Sequence, residues 1–375
     1  MKRFLKITGI VVGVIVLLIA VLTGYAYYKM KSVKDTHDLQ DKVAAACNKY
    51  IKEGKAPGIF VGIIQGDRVY MHGYGVMDKD SKIPVDSTTI FEIGSISKVF
   101  TAELTQLLVE KGELNWDDNI IRYLPAEVKW KDDTTTLKHL ATHTSGFPRL
   151  PEVWFKKLEQ NECDPYTALS INDLFAYLND PTEKKRPSPE NFDYSNVGAG
   201  LLGHILEWKM NLSYEQMLQE MILHPLGMLH TSAIGADSAM FATGYNEQGN
   251  KTCHWNFPIL YSAGSIRSSG ADMMRFLAAN MKNSSPLSAS FTMTHKQAVK
   301  EAPIALGWHI DMLSGIFARI ANITWHNGGT GGFRSYIGFV PGKDRGVIVM
   351  ANQSDECFDE MAVDIMVDAA TVSLK

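Results

Sequence analysis

Strand-like segments occur at the two ends of the folded part of this chain and are scarce in between, and this asymmetry limits the architecture more than any other feature. Gly58–Ile64 and Arg68–Val76 are β-branched and aromatic runs joined by Gln65-Gly66-Asp67, a hairpin signal. Far along the chain, Phe333–Val340 and Gly346–Ala351 flank the turn Pro341-Gly342-Lys343-Asp344. Strands need edge partners and a face to bury, so both pairs are expected in one antiparallel sheet. Two helices are available to cover it. Asp41–Lys55 has Val43, Ala46, Cys47 and Tyr50 at helical spacing, and the last segment sets Phe358, Met361, Ala362, Ile365 and Ala369 against Glu360, Asp364 and Asp368.

Between the strand pairs lie short amphipathic or turn-rich pieces, Glu113–Pro125, Lys138–Phe147 and Ile171–Asn179, and helical patterns over Gly198–Lys209, Ser213–Leu223 and Ser269–Ala279. The expected fold is therefore α+β: an antiparallel β-sheet flanked by N- and C-terminal helices, with a mostly helical domain inserted. The sheet part takes about residues 45–95 and 300–375 and the helical part about 96–299. A cleft between them is the natural place for a site.

The N-terminus sets topology. Lys2, Arg3 and Lys6 precede residues 7–28, 22 positions without a charge, which as helix span about 33 Å. The long apolar run, the lack of a small-x-small cleavage site and the belt of Tyr25, Tyr27 and Tyr28 favour a membrane anchor within residues 1–31 over a cleaved signal peptide. A stalk over 32–44 and a catalytic-size domain over 45–375 follow, the latter expected outside the cytoplasm, periplasmic or extracellular. A charge balance of 37 basic against 41 acidic residues without a basic stripe speaks against nucleic acid as a partner. Cys47, Cys163, Cys253 and Cys357 are widely separated, with no CxxC, HExxH or HxH, so neither metal nor cofactor is expected, and the cysteines read as four buried or partly buried thiols. Oligomeric state is left open.

The chemistry is read from Thr89–Gly112. Thr89-Ile90-Phe91 is a short strand pattern, Gly94 a turn, and Phe100, Leu104, Leu107 and Leu108 a helical stripe that stops at Gly112. Ser95 and Lys98 are three apart and share a face in the first helical turn, near unpaired N–H groups. A serine nucleophile needs such surroundings: a group to take its proton, and donors for the oxyanion. Ser-x-x-Lys alone is weak, since a Ser/Lys pair in a first turn is usually a cap and a solvated charge.

Two further clusters add weight. Asn191–Gly198 places Tyr194, Ser195 and Asn196 just before a helix; Tyr177-Leu178-Asn179 shares the pattern, but Tyr177 lies in an apolar stripe where core packing is the expected role. A neighbouring ammonium such as Lys98 would lower the Tyr194 pKa from about 10 and make it a base. Trp325–Arg334, with His326, Asn327, Gly328 and Gly329, runs directly into strand. Bare glycines on an edge strand let a substrate backbone approach, and His326 can titrate or donate to a substrate carboxylate.

With Ser95–Lys98, Tyr194–Asn196 and His326–Gly328 in this order, the sequence resembles the serine penicillin-recognising family of class C β-lactamases, Ser-x-x-Lys D-alanyl-D-alanine carboxypeptidases and related esterases, over about residues 45–372. Leu140–Gly146, His224–Met228 and Trp325–Arg334 are phrases similar to that family's. The resemblance implies Ser95 as the acylated nucleophile, Lys98 and Tyr194 as the proton-handling pair, Asn196 as a donor to the substrate amide, and the N–H groups of Ser95 and Gly329 as the oxyanion hole. Which of Lys98 and Tyr194 takes the first proton is left open.

His326-Asn327-Gly328 stands where class C enzymes usually have Lys-Thr-Gly, which resembles more the carboxypeptidase and esterase branches; Arg334 is the candidate to restore the missing charge. The absence of Ser-Asp-Asn and of Gly-x-Ser-x-Gly disfavours class A β-lactamases and α/β-hydrolases. The expected activity is that of a carboxypeptidase or penicillin-binding protein acting on a cell-wall peptide or β-lactam, with an esterase or a non-catalytic binding member as alternatives.

Overall fold

The computed structural model describes residues 38–374 apart from 133, 181–183, 189–191, 236–238, 282–284, 301 and 312–321. The expected anchor over residues 7–28 lies outside the described residues, as does the first part of the stalk. Among the described residues, no helix is long and apolar enough to cross a membrane.

The strands from both ends form one six-stranded antiparallel sheet. Its order is β2 (Arg68–Gly75), β1 (Gly58–Gln65), β8 (Arg345–Ala351), β7 (Arg334–Val340), β6 (Ile323–Gly329) and β5 (His309–Asp311). Alternation along each strand sorts the side chains into two cores. On the outer face, Val61, Ile63, Val347 and Val349 pack with Leu39, Val43 and Cys47 of helix α1 (Leu39–Lys52) and with Phe358, Ala362 and Ile365 of the C-terminal helix (Phe358–Thr371). On the inner face, Phe60, Ile337, Ile348 and Met350 meet a larger core that continues into the helical part.

Helix α1 starts two residues before the periodicity suggests and stops three before Lys55. Asp38 caps it by accepting from the Gln40 N–H at 3.5 Å, and Gly54, with φ +75°, turns the chain away. Leu39 and Val43 are buried, so residues 39–44, expected as stalk, belong to the fold.

Helix α2 (Ser97–Glu110) is buried almost throughout and forms the axle between sheet and helical part. Helix α3 (Asn196–Met210) packs across it, and α4 (Gly270–Met281) lies on the sheet's inner face against β1 and β8, although it falls within the stretch 96–299. A short pair of β3 (Ile90–Glu92) with β4 (Arg267–Ser269) ties the chain before α2 to the chain before α4. Cys163 and Cys253 form a disulfide, with Cα atoms 5.3 Å apart; this corrects the reading of four thiols. A separation of 90 positions along the chain hides that proximity in the sequence. Cys47 is buried and Cys357 exposed, both free.

Candidate active site

Ser95 does not sit in the first turn of the long helix. It lies in a separate 3₁₀ turn, Gly94–Ile96, from which α2 departs at Ser97. The turn is fixed by close approach to β6. Gly94 has φ +50°, and a Cβ there would come within 2.7 Å of the Gly329 nitrogen. The place a Cβ would take on Gly328 is filled by the Ile93 carbonyl and the Ser335 hydroxyl, which donates to that carbonyl at 2.8 Å. The bare position at Gly328 thus admits the chain at residues 93–95 rather than a substrate backbone, which revises its expected role. Gly329 is left beside the nucleophile turn, with its N–H next to Gly94.

Lys98 Nζ lies 3.0 Å from Ser95 Oγ and 2.7 Å from the Ala263 carbonyl oxygen, and the side chain is 4 % exposed. Burial first, and the Arg149 guanidinium second, hold the lysine well below its usual range. The charged form of this amine is therefore disfavoured, and its nitrogen is within hydrogen-bond reach of the serine hydroxyl.

Tyr194 departs from expectation. Its hydroxyl is hydrogen-bonded to Ser95, yet its pKa is pushed up to about 12 by burial, with that hydrogen bond and the charge of Arg149 offsetting only part. Lys98 Nζ sits over the ring face, 4.8 Å from the centroid, instead of at the hydroxyl, so the lowering expected from an ammonium partner does not occur. Tyr194 is a neutral phenol, a proton donor at neutral pH. It is held by its neighbours: Ser195 caps α3, accepting from the Gly198 N–H at 2.8 Å and donating to the Pro148 carbonyl at 2.8 Å, and the His143 ring lies 4.4 Å from the Tyr194 ring. Tyr177 packs instead against Phe147 and Trp154 in the core.

Asn196, the first residue of α3, is 8 % exposed and its Oδ1 has no partner among the described residues. His326 and Asn327 correct the sequence reading. The His326 Nδ1 is 2.5 Å from the Asn327 carbonyl oxygen, which can only accept, so Nδ1 carries the proton and Nε2, without a partner among the described residues, carries the lone pair. Burial, then the neighbouring His309 and Lys98, hold the imidazole well below its usual range. It is a neutral acceptor rather than a titrating cation. Asn327 faces the other side of the sheet, where its Nδ2 donates to Asp359 at 2.7 Å; strand alternation that points His326 inward points Asn327 outward. The His309 ring, on the short strand β5, lies 5.0 Å from that of His326 at a tilt of 45°, and was not foreseen, because three residues give no periodicity.

On the other side of Ser95 opens a cavity of about 310 Å³, lined by Asn196, Gly329 and Arg334 and, without any sequence signal to mark them, by Arg149, Trp255 and Phe257. Neither Lys98 nor Tyr194 lines it.

The profile of the family described as Beta-lactamase matches residues 42–370, which include all of this machinery. The chain belongs to the Beta-lactamase family. Among its relatives is a β-lactamase of Pseudomonas fluorescens, 27 % identical over 357 residues, which covers 84 % of this chain and 94 % of that protein. A β-lactamase of Providencia stuartii is 30 % identical over 247 residues, 65 % of this chain and 60 % of that one. A solved class C β-lactamase superposes with a TM-score of 0.76 at 25 % identity, covering 90 % of this chain and 97 % of the other. A β-lactamase/D-alanine carboxypeptidase from Pseudomonas syringae gives 0.75 at 24 %, covering 88 % and 98 %. Within the β-lactamase family this chain is a serine hydrolase with an α+β, class C-like fold.

Proposed function

We propose that the protein cleaves D-alanyl peptides, and is acylated by β-lactams, through an ester on Ser95, with Lys98 as the first base. The observation that carries this reading is the buried Lys98 amine 3.0 Å from Ser95 Oγ. Ser95 Oγ attacks the carbonyl carbon while its proton passes to Lys98 Nζ; the oxyanion lies between the N–H groups of Ser95 and Gly329. Tyr194 donates its proton to the departing amine and regains one from the lysine, so the acyl-enzyme forms with no net proton change. Water then attacks the ester by the reverse sequence.

Intact-mass analysis after exposure to a penicillin tests the nucleophile. One adduct on the wild type and none on Ser95→Ala is expected; an equal adduct on both overturns the assignment. Release of D-alanine, set against hydrolysis of a p-nitrophenyl ester, tests the substrate class. Neutral His326, where a carboxylate-binding cation would be expected, favours an esterase as the second reading.

We also propose an exported domain held by an anchor over residues 7–28. The Cys163–Cys253 disulfide supports an oxidising compartment. Sequencing the mature N-terminus from membrane fractions checks it: an intact N-terminus supports an anchor, and one starting after residue 28 refutes it.

A further inference from the structure

Ser95 separates two kinds of space. The groups that handle protons, Lys98 and Tyr194, stand on one side, and a leaving group must depart next to them to receive its proton. The cavity beside Ser95, which neither of them lines, is therefore assigned to the acyl portion of a substrate, which follows from the reading of Ser95 as the acylated nucleophile.

The walls of that cavity are chemically selective. Tyr166, Trp255 and Phe257 form an aromatic panel, with ring centroids of Tyr166 4.7 Å from Phe257 and 5.4 Å from Trp255. Two guanidinium groups, Arg149 and Arg334, also line it, and no carboxylate does. Arg149 extends from the loop before the helix at Glu152–Leu158, exposed, with its Cζ 5.2 Å from the Tyr194 ring centre. No Asp or Glu pairs with either arginine among the described residues. Asn196 Oδ1 and Thr330 Oγ1, both buried in the same lining, have no partner among the described residues. An aromatic panel beside unneutralised guanidinium groups suits a ring that bears an anion, because the ring buries apolar area while the anion meets a planar fork of donors.

We propose that Arg149 makes the acyl cavity selective for a group carrying both an aromatic ring and a free carboxylate. A carboxylate on the acyl side, rather than on the leaving group, is what this enzyme reads by charge.

Benzylpenicillin and its α-carboxy derivative, which differ by one side-chain carboxylate, test the proposal on the full chain carrying Ser95→Ala, where binding is measured without acylation. The α-carboxy compound is expected to bind about threefold to tenfold more tightly. Arg149→Gln should abolish that preference and Arg149→Lys should keep part of it; an exposed side chain can be changed without disturbing the core. Equal affinity for the two penicillins, a preference that survives Arg149→Gln, or one lost only in Arg334→Gln overturns the proposal. On the Ser95 protein the same ratio should appear in acylation rates. If neither penicillin leaves an adduct there while the binding preference stands, the nucleophile reading fails and the assignment of Arg149 holds.

Discussion

The two sides of Ser95 are built on opposite principles. On the proton-handling side, Lys98, Tyr194, His143, His309 and His326 crowd together, and burial drives all of them toward their neutral forms. Around the cavity, Arg149 and Arg334 place two guanidinium groups with no carboxylate in the lining. On the proposed reading, the chemistry would fall to uncharged groups in a dry wall, where proton transfer needs no prior removal of a salt-bridge partner. Recognition would fall to the arginines of the cavity. A shared carboxylate in the dry wall would pair with Lys98 and raise its pKa, and the base would be lost.

The contrast can be broken most severely at Lys98. Lys98→Met should lower the rate of penicillin acylation by about 10² to 10⁴-fold, read by stopped-flow or timed mass analysis, with little change in initial binding. Gly94→Ala strikes the hinge between the sides. A Cβ at φ +50° facing Gly329 must displace the serine turn from β6, and acylation should fall on the order of 10²-fold while the fold persists. Circular dichroism and the adduct rate together check this.

A third test uses acid. His309 has its pKa lowered to about 4, so the folded state binds fewer protons than the unfolded chain below the usual histidine range near 6.5. The cost begins as pH falls through 6.5 and is complete below about 4, so stability declines in that window. Among the described residues, His309 is faced by the rings of Phe192, Tyr194, Trp325 and His326, the amine of Lys98 and the imidazole of His143, none of them an anion that could offset the charge. His309→Gln should reduce the loss between pH 6.5 and 5 by about 1–2 kcal/mol in denaturant titrations. The smallest effect is expected at Asn327. Its side chain bonds Asp359 on the far face, so Asn327→Ala should change kcat/KM less than about twofold.

How much of this was legible depended on the kind of signal. Strand pairs at the two ends predicted the sheet because β-branched and aromatic runs and turn residues are local signals. Ser95, Lys98, Tyr194, Asn196 and His326 were singled out because their spacing within short motifs carries over to space, and the structure sets them around one another. What went wrong was electrostatic. A tyrosine beside a lysine suggested a lowered pKa, and a histidine near a substrate suggested a titrating cation, yet both inferences assumed water that the packing of α2, α3 and β6 excludes. Arg149 was invisible because one arginine in a polar loop looks like any other. The register of β6, which turns Asn327 away from the site, could be set only once β7 was seen to pair with it.

The bridge between Cys163 and Cys253 bears on more than stability. Tyr166 follows one cysteine by three residues, Trp255 and Phe257 follow the other by two and four, and the Trp255 indole N–H donates to the Cys163 carbonyl at 3.0 Å. The aromatic panel is thus stapled together from two distant loops, whereas Ser95 and Lys98 share one continuous piece of backbone. On the proposed reading of the cavity, losing this bridge is expected to blur the choice of acyl group more than the acylation of Ser95.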